Sequence, residues 1–229
     1  MSTPNSAPTI VFDLDGTLVD TAPDLVDTLN IILAREGLPS VPFDTARNMI
    51  GGGARTLIER GLQAKSRPGG VAEVDRLYKD FVAHYAEHLA DRSQPFPGAI
   101  AAIEELAARG CRFAICTNKL EWLSVKLLDA LGISRHFAAI CGQDTFGVQK
   151  PDPQILLQTI RKAGGESGCA VMVGDSINDI EVARAAGVPV IAVDFGYTET
   201  PVSALDPDVV IGDFGKLRAA VDRLLGPQG

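Results

Sequence analysis

The sequence predicts an α/β protein, a Rossmann-like parallel-sheet core that carries an inserted all-helical cap domain. Three observations lead there. Over the second half of the chain, short apolar runs alternate with amphipathic stretches of about ten residues, the pattern of strands and crossover helices. Residues 20–92 show only helical periodicity. The main apolar runs lead into carboxylate, hydroxyl, amide or lysine side chains, and open α/β sheets bind ligands at the carboxyl ends of their strands. The expected layout is residues 1–19 and 93–229 as the core domain and residues 20–92 as the cap domain.

The first apolar run, Thr9-Ile10-Val11-Phe12, reads as a buried strand. Asp13, Leu14, Asp15 and Gly16 follow it. Two carboxylates that close repel unless a proton or cation lies between them, and Mg²⁺ is the natural occupant of such an oxygen site. An EF-hand loop is excluded: its sixth position, counted from Asp13, is Leu18 and not glycine.

The cap begins at Thr21, read as a helix cap, with Pro23 and Asp24 in the first turn. Leu25, Val26, Leu29, Ile32 and Leu33 make one apolar stripe, and Gly37 stops the helix. Asp44 is expected to cap a short second helix. Gly51-Gly52-Gly53 cannot be a helix interior, since each glycine costs about 1 kcal/mol there. They mark a loop able to approach a ligand, with helix resuming at Thr56 and running to Leu62. Val71 to Ala90 is a long amphipathic helix. Its His84 and His88 are spaced i, i+4 but lack the glutamate of a zinc-protease motif, so they read as surface residues.

Ser93 to Gly98 is a proline- and glycine-bearing linker. Beyond it the predicted order is helix 99–109, strand 111–116, helix 121–131, strand 137–140, helix 151–163, strand 169–173, helix 177–186, strand 189–193, a small edge strand 209–211 and a last helix 215–225. The second strand leads into Thr117-Asn118-Lys119 and the fourth into Gly174-Asp175-Ser176. The loop after the third reaches Lys150-Pro151.

Composition narrows the function classes. Hydrophobic residues form 46% of the 229 and charged residues 22%, ordinary for a globular protein. A net charge of -8 argues against nucleic acid as a partner. The four cysteines form no C-x-x-C and read as buried, reduced residues. Met1 to Pro8 has no signal-peptide pattern, and no apolar run is long enough to span a membrane. A cytoplasmic protein, monomer or homodimer, that binds a small phosphate ester is expected.

The strand-end residues suit phosphoryl transfer. Asp13 has the chemistry to attack phosphorus, and Asp15 to protonate the leaving oxygen and later deprotonate water. Thr117 and Asn118 are candidate phosphate or substrate ligands, and Lys150 offsets the crowded negative charge. Asp175 would complete a Mg²⁺ site with Asp13, with Asp179 behind it. In the cap, Gly52, Gly53 and Arg55 are candidate ligands for a substrate carboxylate.

Four motifs in this order, Asp13-Leu14-Asp15-Gly16-Thr17, Thr117, Lys150 and Gly174-Asp175-Ser176-Ile177-Asn178-Asp179, resemble those of the haloacid dehalogenase superfamily of phosphohydrolases. The resemblance covers residues ~9–225. It implies Asp13 as nucleophile and metal ligand, Asp15 as acid/base that lends its backbone carbonyl to Mg²⁺, Thr117 and Lys150 as phosphate ligands, and Asp175 as metal ligand. Asp15 separates the chain from the dehalogenases proper, which have no acid there, and from the transport ATPases, which carry threonine. The helical cap between the first two motifs is similar to that of the branch containing phosphoglycolate phosphatase. A phosphatase for 2-phosphoglycolate is therefore expected. A sugar-phosphate phosphatase, a β-phosphoglucomutase-like mutase and a non-catalytic binding module remain as alternatives.

Overall fold

The computed structural model describes residues 7–198 and 200–226. The expectation for the polar start of the chain lies outside the described residues except at its last two. The chain runs β1 (Thr9–Phe12), β2 (Val19–Asp20), α1 (Ala22–Arg35), α2 (Phe43–Arg47), α3 (Gly53–Gln63), α4 (Val71–His88), β3 (Gln94–Pro95) and α5 (Ala99–Ala107). It continues through β4 (Arg112–Cys116), α6 (Glu121–Ala130), β5 (Ala139–Cys141), α7 (Pro153–Lys162), β6 (Ala170–Gly174), α8 (Ile177–Ala186), β7 (Val190–Val193), β8 (Val209–Ile211) and α9 (Leu217–Leu225).

Six strands form one parallel sheet in the order β5-β4-β1-β6-β7-β8. β1 is central because it is apolar and buried on both faces. Its side chains alternate between two layers. Ile10 and Phe12 join the larger core with Phe113, Val173 and Phe214, whereas Val11 joins Ala114, Met172, Ile155 and Ile180 on the other face. Phe12 pairs with Ile115 on one side and Val173 on the other. Asp13 therefore emerges level with Cys116 and Gly174, and Thr117 and Asp175 follow one residue later on either side. The strand order reverses direction at β1, and this switch point is where an open α/β sheet leaves a crevice.

α1 to α4, which in sequence lie between β1 and the later sheet strands, pack on one another. Leu25, Leu29 and Ile32 of α1, Leu57 and Ile58 of α3, and Leu77, Phe81 and Tyr85 of α4 are buried together. The chain enters and leaves this helical segment through the antiparallel pair β2–β3, with Val19 opposite Pro95 and Asp20 opposite Gln94. The two-residue ribbon has no sequence signature, since two residues show no periodicity.

Several local expectations give way to tertiary contacts. Thr21 makes no side-chain cap; its hydroxyl donates to Asp15 Oδ1 at 2.8 Å. Asp44 lies inside the first turn of α2, behind the N-cap Pro42. α3 starts at Gly53, three residues before Thr56. A helix's first N–H groups have no intrahelical partner, so a glycine with φ +83 is tolerated at that end. The last helix divides into a 3-10 turn, Phe214–Lys216, and α9. His84 and His88 lie on α4 outside its buried face; Cys111, Cys116 and Cys141 are buried thiols as expected, whereas Cys169 is only half-buried, at the 3-10 turn before β6.

Asp24 ties the two ends of the helical segment. It is buried and accepts hydrogen bonds from Arg92 N, Ser93 N and Ser93 Oγ. Replacing it leaves buried donors without a partner. Asp24→Ala is expected to lower unfolding free energy by about 2 kcal/mol in urea titration. Unchanged stability would show that these bonds do not hold the junction.

Candidate active site

β1, β4 and β6 each deliver a polar residue to the same edge of the sheet. Asp13 follows Phe12, and its N–H donates to Val173 O at 2.9 Å, so the backbone is pinned before the turn begins. Thr117 is held likewise, by its N–H to Cys141 O at 3.1 Å. Gly16 turns with φ +84; a Cβ there would stand 2.6 Å from Asp175 Oδ2. The turn thus brings Thr17 back to Asp175, and Thr17 Oγ1 donates to Asp175 Oδ1 at 2.8 Å. Tyr197 N donates to the other oxygen, Oδ2, at 2.6 Å.

Lys150 is 2% exposed and lies between two acids. Its Nζ is 2.8 Å from Asp13 Oδ1 and 2.6 Å from Asp179 Oδ1. Burial by itself would lower the pKa of this lysine, but the charges of Asp13 and Asp179 outweigh burial and hold it above the ordinary value. Asp179 Oδ2 accepts from Asp175 N, Ser176 N and Ser176 Oγ. Asp179 therefore caps α8 and anchors Lys150 at once. Asp13 Oδ1 is buried and accepts no aligned hydrogen bond.

Asp13, Asp175 and Asp179 each offer a carboxylate oxygen, and the three lie within 4.8 Å of one another. Burial, then the neighbouring carboxylate charges, push Asp175 up from 3.8 to about 8. Burial raises Asp13 to about 6, a rise that Lys150 opposes. Without a cation Asp175 holds its proton at neutral pH, whereas Asp13 gives its own up near pH 6. Three hard oxygen donors, buried, crowded and short of positive charge, fit a divalent cation such as Mg²⁺.

Asp15 turns away from this cluster. Lys119 Nζ donates to its Oδ1 at 2.8 Å and its Oδ2 at 2.9 Å. Asp13, Asp15, Thr117 and Lys119 share one pocket. Ile50, Gly51 and Gly53 from the helical segment close it, with Leu25, Phe81 and Tyr85 below. Gly51 O accepts from Asn118 Nδ2 at 3.4 Å and from Asn178 Nδ2 at 3.3 Å. A Cβ on Gly53 would stand 3.0 Å from Asn118 O.

The structure corrects the cap expectations. Gly53 lines the pocket, but Gly52 faces the neighbouring groove. Arg55 stands exposed, paired with Asp75 and stacked over Tyr78, outside the pocket. The first helical turn points its side chain outward. Asn118 lines the pocket, but its side-chain amide is engaged by backbone: Nδ2 donates to Lys150 O, and Oδ1 accepts from Lys150 N. It positions Lys150 and leaves its backbone for a ligand.

Three participants escaped sequence reasoning. Tyr197 N holds Asp175, while its hydroxyl accepts from Ala22 N at 3.0 Å and bonds Asp20. Arg47 donates to Phe195 O and Gly196 O and lies over the Tyr197 ring. Lys119 stood in a strand-end loop with no role assigned. For Tyr197 the only signal was its place soon after a sheet strand.

The model of the haloacid dehalogenase-like hydrolase family matches residues 10–193. A phosphoglycolate phosphatase of Mesorhizobium japonicum is 51% identical over 225 residues, covering 98% of this chain and 99% of its own. One from Agrobacterium fabrum is 47% identical over 223 residues, covering 97% and 96%. The crystal structure of a predicted phosphoglycolate phosphatase from Haemophilus somnus superimposes with a TM-score of 0.86 at 30% identity, covering 93% of this chain and 97% of that one.

The acid cluster generates a test. Asp13 and Asp175 have folded-state values of about 6 and about 8 against 3.8 for both unfolded. The folded protein then binds more protons than the unfolded one between about pH 4 and about pH 8, so its stability falls as pH rises through that window. Metal-depleted protein is expected to lose Tm as pH rises from about 4 to about 8. Added Mg²⁺ is expected to raise Tm more at the higher pH, and Asp175→Asn to weaken both effects. A Tm independent of pH and Mg²⁺ would remove the metal site.

Proposed function

The chain belongs to the haloacid dehalogenase-like hydrolase family, and from that premise we propose that it hydrolyses 2-phosphoglycolate to glycolate and phosphate. That it is a phosphatase, a phosphoric monoester hydrolase, follows from its relatives. The observation that carries the substrate is near-full-length identity of up to 51% to proteins named for that activity.

In the proposed reaction a carboxylate oxygen of Asp13 attacks phosphorus. The Asp13–phosphorus bond forms as the bond from phosphorus to the ester oxygen breaks. Asp15 gives its proton to that oxygen, which leaves as the glycolate hydroxyl. Asp15 then takes a proton from water, whose oxygen attacks phosphorus and frees Asp13. The Thr117 hydroxyl and neighbouring N–H groups hold phosphate oxygens, and Lys150 offsets their charge. Asp13 and Asp175, with the Asp15 backbone carbonyl, would hold Mg²⁺, which when bound supplies a hard positive charge beside the phosphate. Asp179 keeps Lys150 and the Asp175 turn in place.

The helical segment acts as the cap in this reading. Gly51 resting on Asn118 and Asn178 supports a closed state that excludes bulk water from the acyl phosphate. The β2–β3 ribbon is the proposed hinge.

Phosphate release is to be measured with Mg²⁺ on 2-phosphoglycolate, hexose phosphates, nucleoside monophosphates and pyrophosphate. 2-Phosphoglycolate is expected to give the highest kcat/KM. Asp13→Asn is expected to lower kcat about a thousand-fold or more, and Asp15→Asn about 10²–10⁴-fold. A sugar-favouring profile abolished by Asp13→Asn would keep the chemistry and discard the substrate. Isomerisation of a hexose phosphate without release would replace hydrolysis by a mutase.

A further inference from the structure

Lys119 is 7% exposed and is the only cationic side chain among the described residues that line the pocket above Asp13. Leu25, Leu57, Phe81 and Leu123 form an apolar wall of that pocket, and Thr117, Asn118 and Gln143 line its polar side. A buried ammonium in such a place needs anionic or hydrogen-bonding partners. An ammonium has three donors. Two are matched by the oxygens of Asp15, at 2.8 Å and 2.9 Å. The ammonium also lies 4.7 Å from the centroid of the Tyr85 ring.

A second observation concerns the neighbour of that lysine. Tyr85 is 1% exposed and lines the same pocket, yet its hydroxyl makes no hydrogen bond of good geometry, and the Lys119 ammonium is the charge that acts on it. Buried hydroxyls are rarely left so. The pocket thus offers, beside Asp15, a cation and a hydroxyl that both have hydrogen-bonding capacity left for a ligand. Arg55 offers nothing to it, being paired with Asp75 outside.

We infer that Lys119, assisted by the Tyr85 hydroxyl, is the specificity determinant that binds the carboxylate of the substrate, and that the site selects short phosphooxy carboxylates. The inference rests on the 2-phosphoglycolate reading and on Asp15 facing the ester oxygen. In that ester the carboxylate carbon stands only two bonds beyond the oxygen that Asp15 protonates. A group already bonded to Asp15 is therefore the one within reach of the carboxylate. Leu25, Leu57, Phe81 and Leu123 give the methylene an apolar surface to pack on.

The test compares 2-phosphoglycolate with ethyl phosphate, which replaces the carboxylate by a methyl group. Both are assayed on wild type, Lys119→Met and Tyr85→Phe, with glycolate inhibition measured alongside and Tm as a folding control. Wild type is expected to prefer 2-phosphoglycolate. Lys119→Met is expected to lose about a hundred-fold or more in kcat/KM for it, mainly through KM, with a much smaller loss on ethyl phosphate, and to lose glycolate inhibition. Tyr85→Phe is expected to shift the preference in the same direction by a smaller factor. Equal losses on both substrates in Lys119→Met would overturn the inference and leave the substrate reading standing, since the lysine would then act on Asp15 alone. A wild type that does not prefer 2-phosphoglycolate would overturn both. If Lys119→Met does not fold, an unchanged preference in Tyr85→Phe overturns the inference.

Discussion

Lys150 sits between Asp13 and Asp179 where almost no water reaches it. Three carboxylates within 4.8 Å would otherwise face one another in a medium of low polarity. A buried charge is tolerated only when paired and hydrogen-bonded. The lysine meets that condition on one side, and Asp175 N, Ser176 N and Ser176 Oγ meet it at Asp179. The remaining deficit falls on Asp13 and Asp175, which is why their acidities weaken. The rest of the site is built around that deficit, which a cation or a proton must fill.

The same constraint shapes the chain around the site. Asn118 grips both backbone groups of Lys150 and so fixes the lysine from β4's loop. Gly16 and Gly196 leave room for Asp175: a Cβ on Gly196 would stand 2.2 Å from the Asp175 Cβ. The helical segment reaches the cluster at second hand. Arg47 holds the loop 195–196, and Tyr197 in that loop joins Asp175 to Asp20 and Ala22 at the segment's root. A contact chain thus runs from α2 to an acid of the cluster without passing through the pocket.

Much of this was legible before the structure. β1 is a continuous apolar run because both its faces are buried, so its end and the acids after it could be read directly. The α8 start carried a capping-box pattern, Ser176 with Asp179, and the structure has it. Arg55 misled because a charged residue beside a glycine loop says nothing of which way the first helical turn points it. Thr21 misled for a related reason. As a cap its oxygen would accept from a helix N–H, but the hydroxyl instead turns to donate to Asp15. Lys119 and Tyr85 come from different helical and strand-end contexts, and no local spacing links them.

By itself the sequence determined the layered α/β fold, the helical segment between the sheet strands β1 and β4 and the identity of the residues at the strand ends, because burial periodicity and turn chemistry are local. The family follows from the order of those residues. Only the tertiary structure decided which acid faces which cation, that Asp15 pairs with Lys119 while Asp13 pairs with Lys150, and which cap residues enter the pocket. Those outcomes depend on distances between segments far apart in the chain, and such distances are set by how the layers pack.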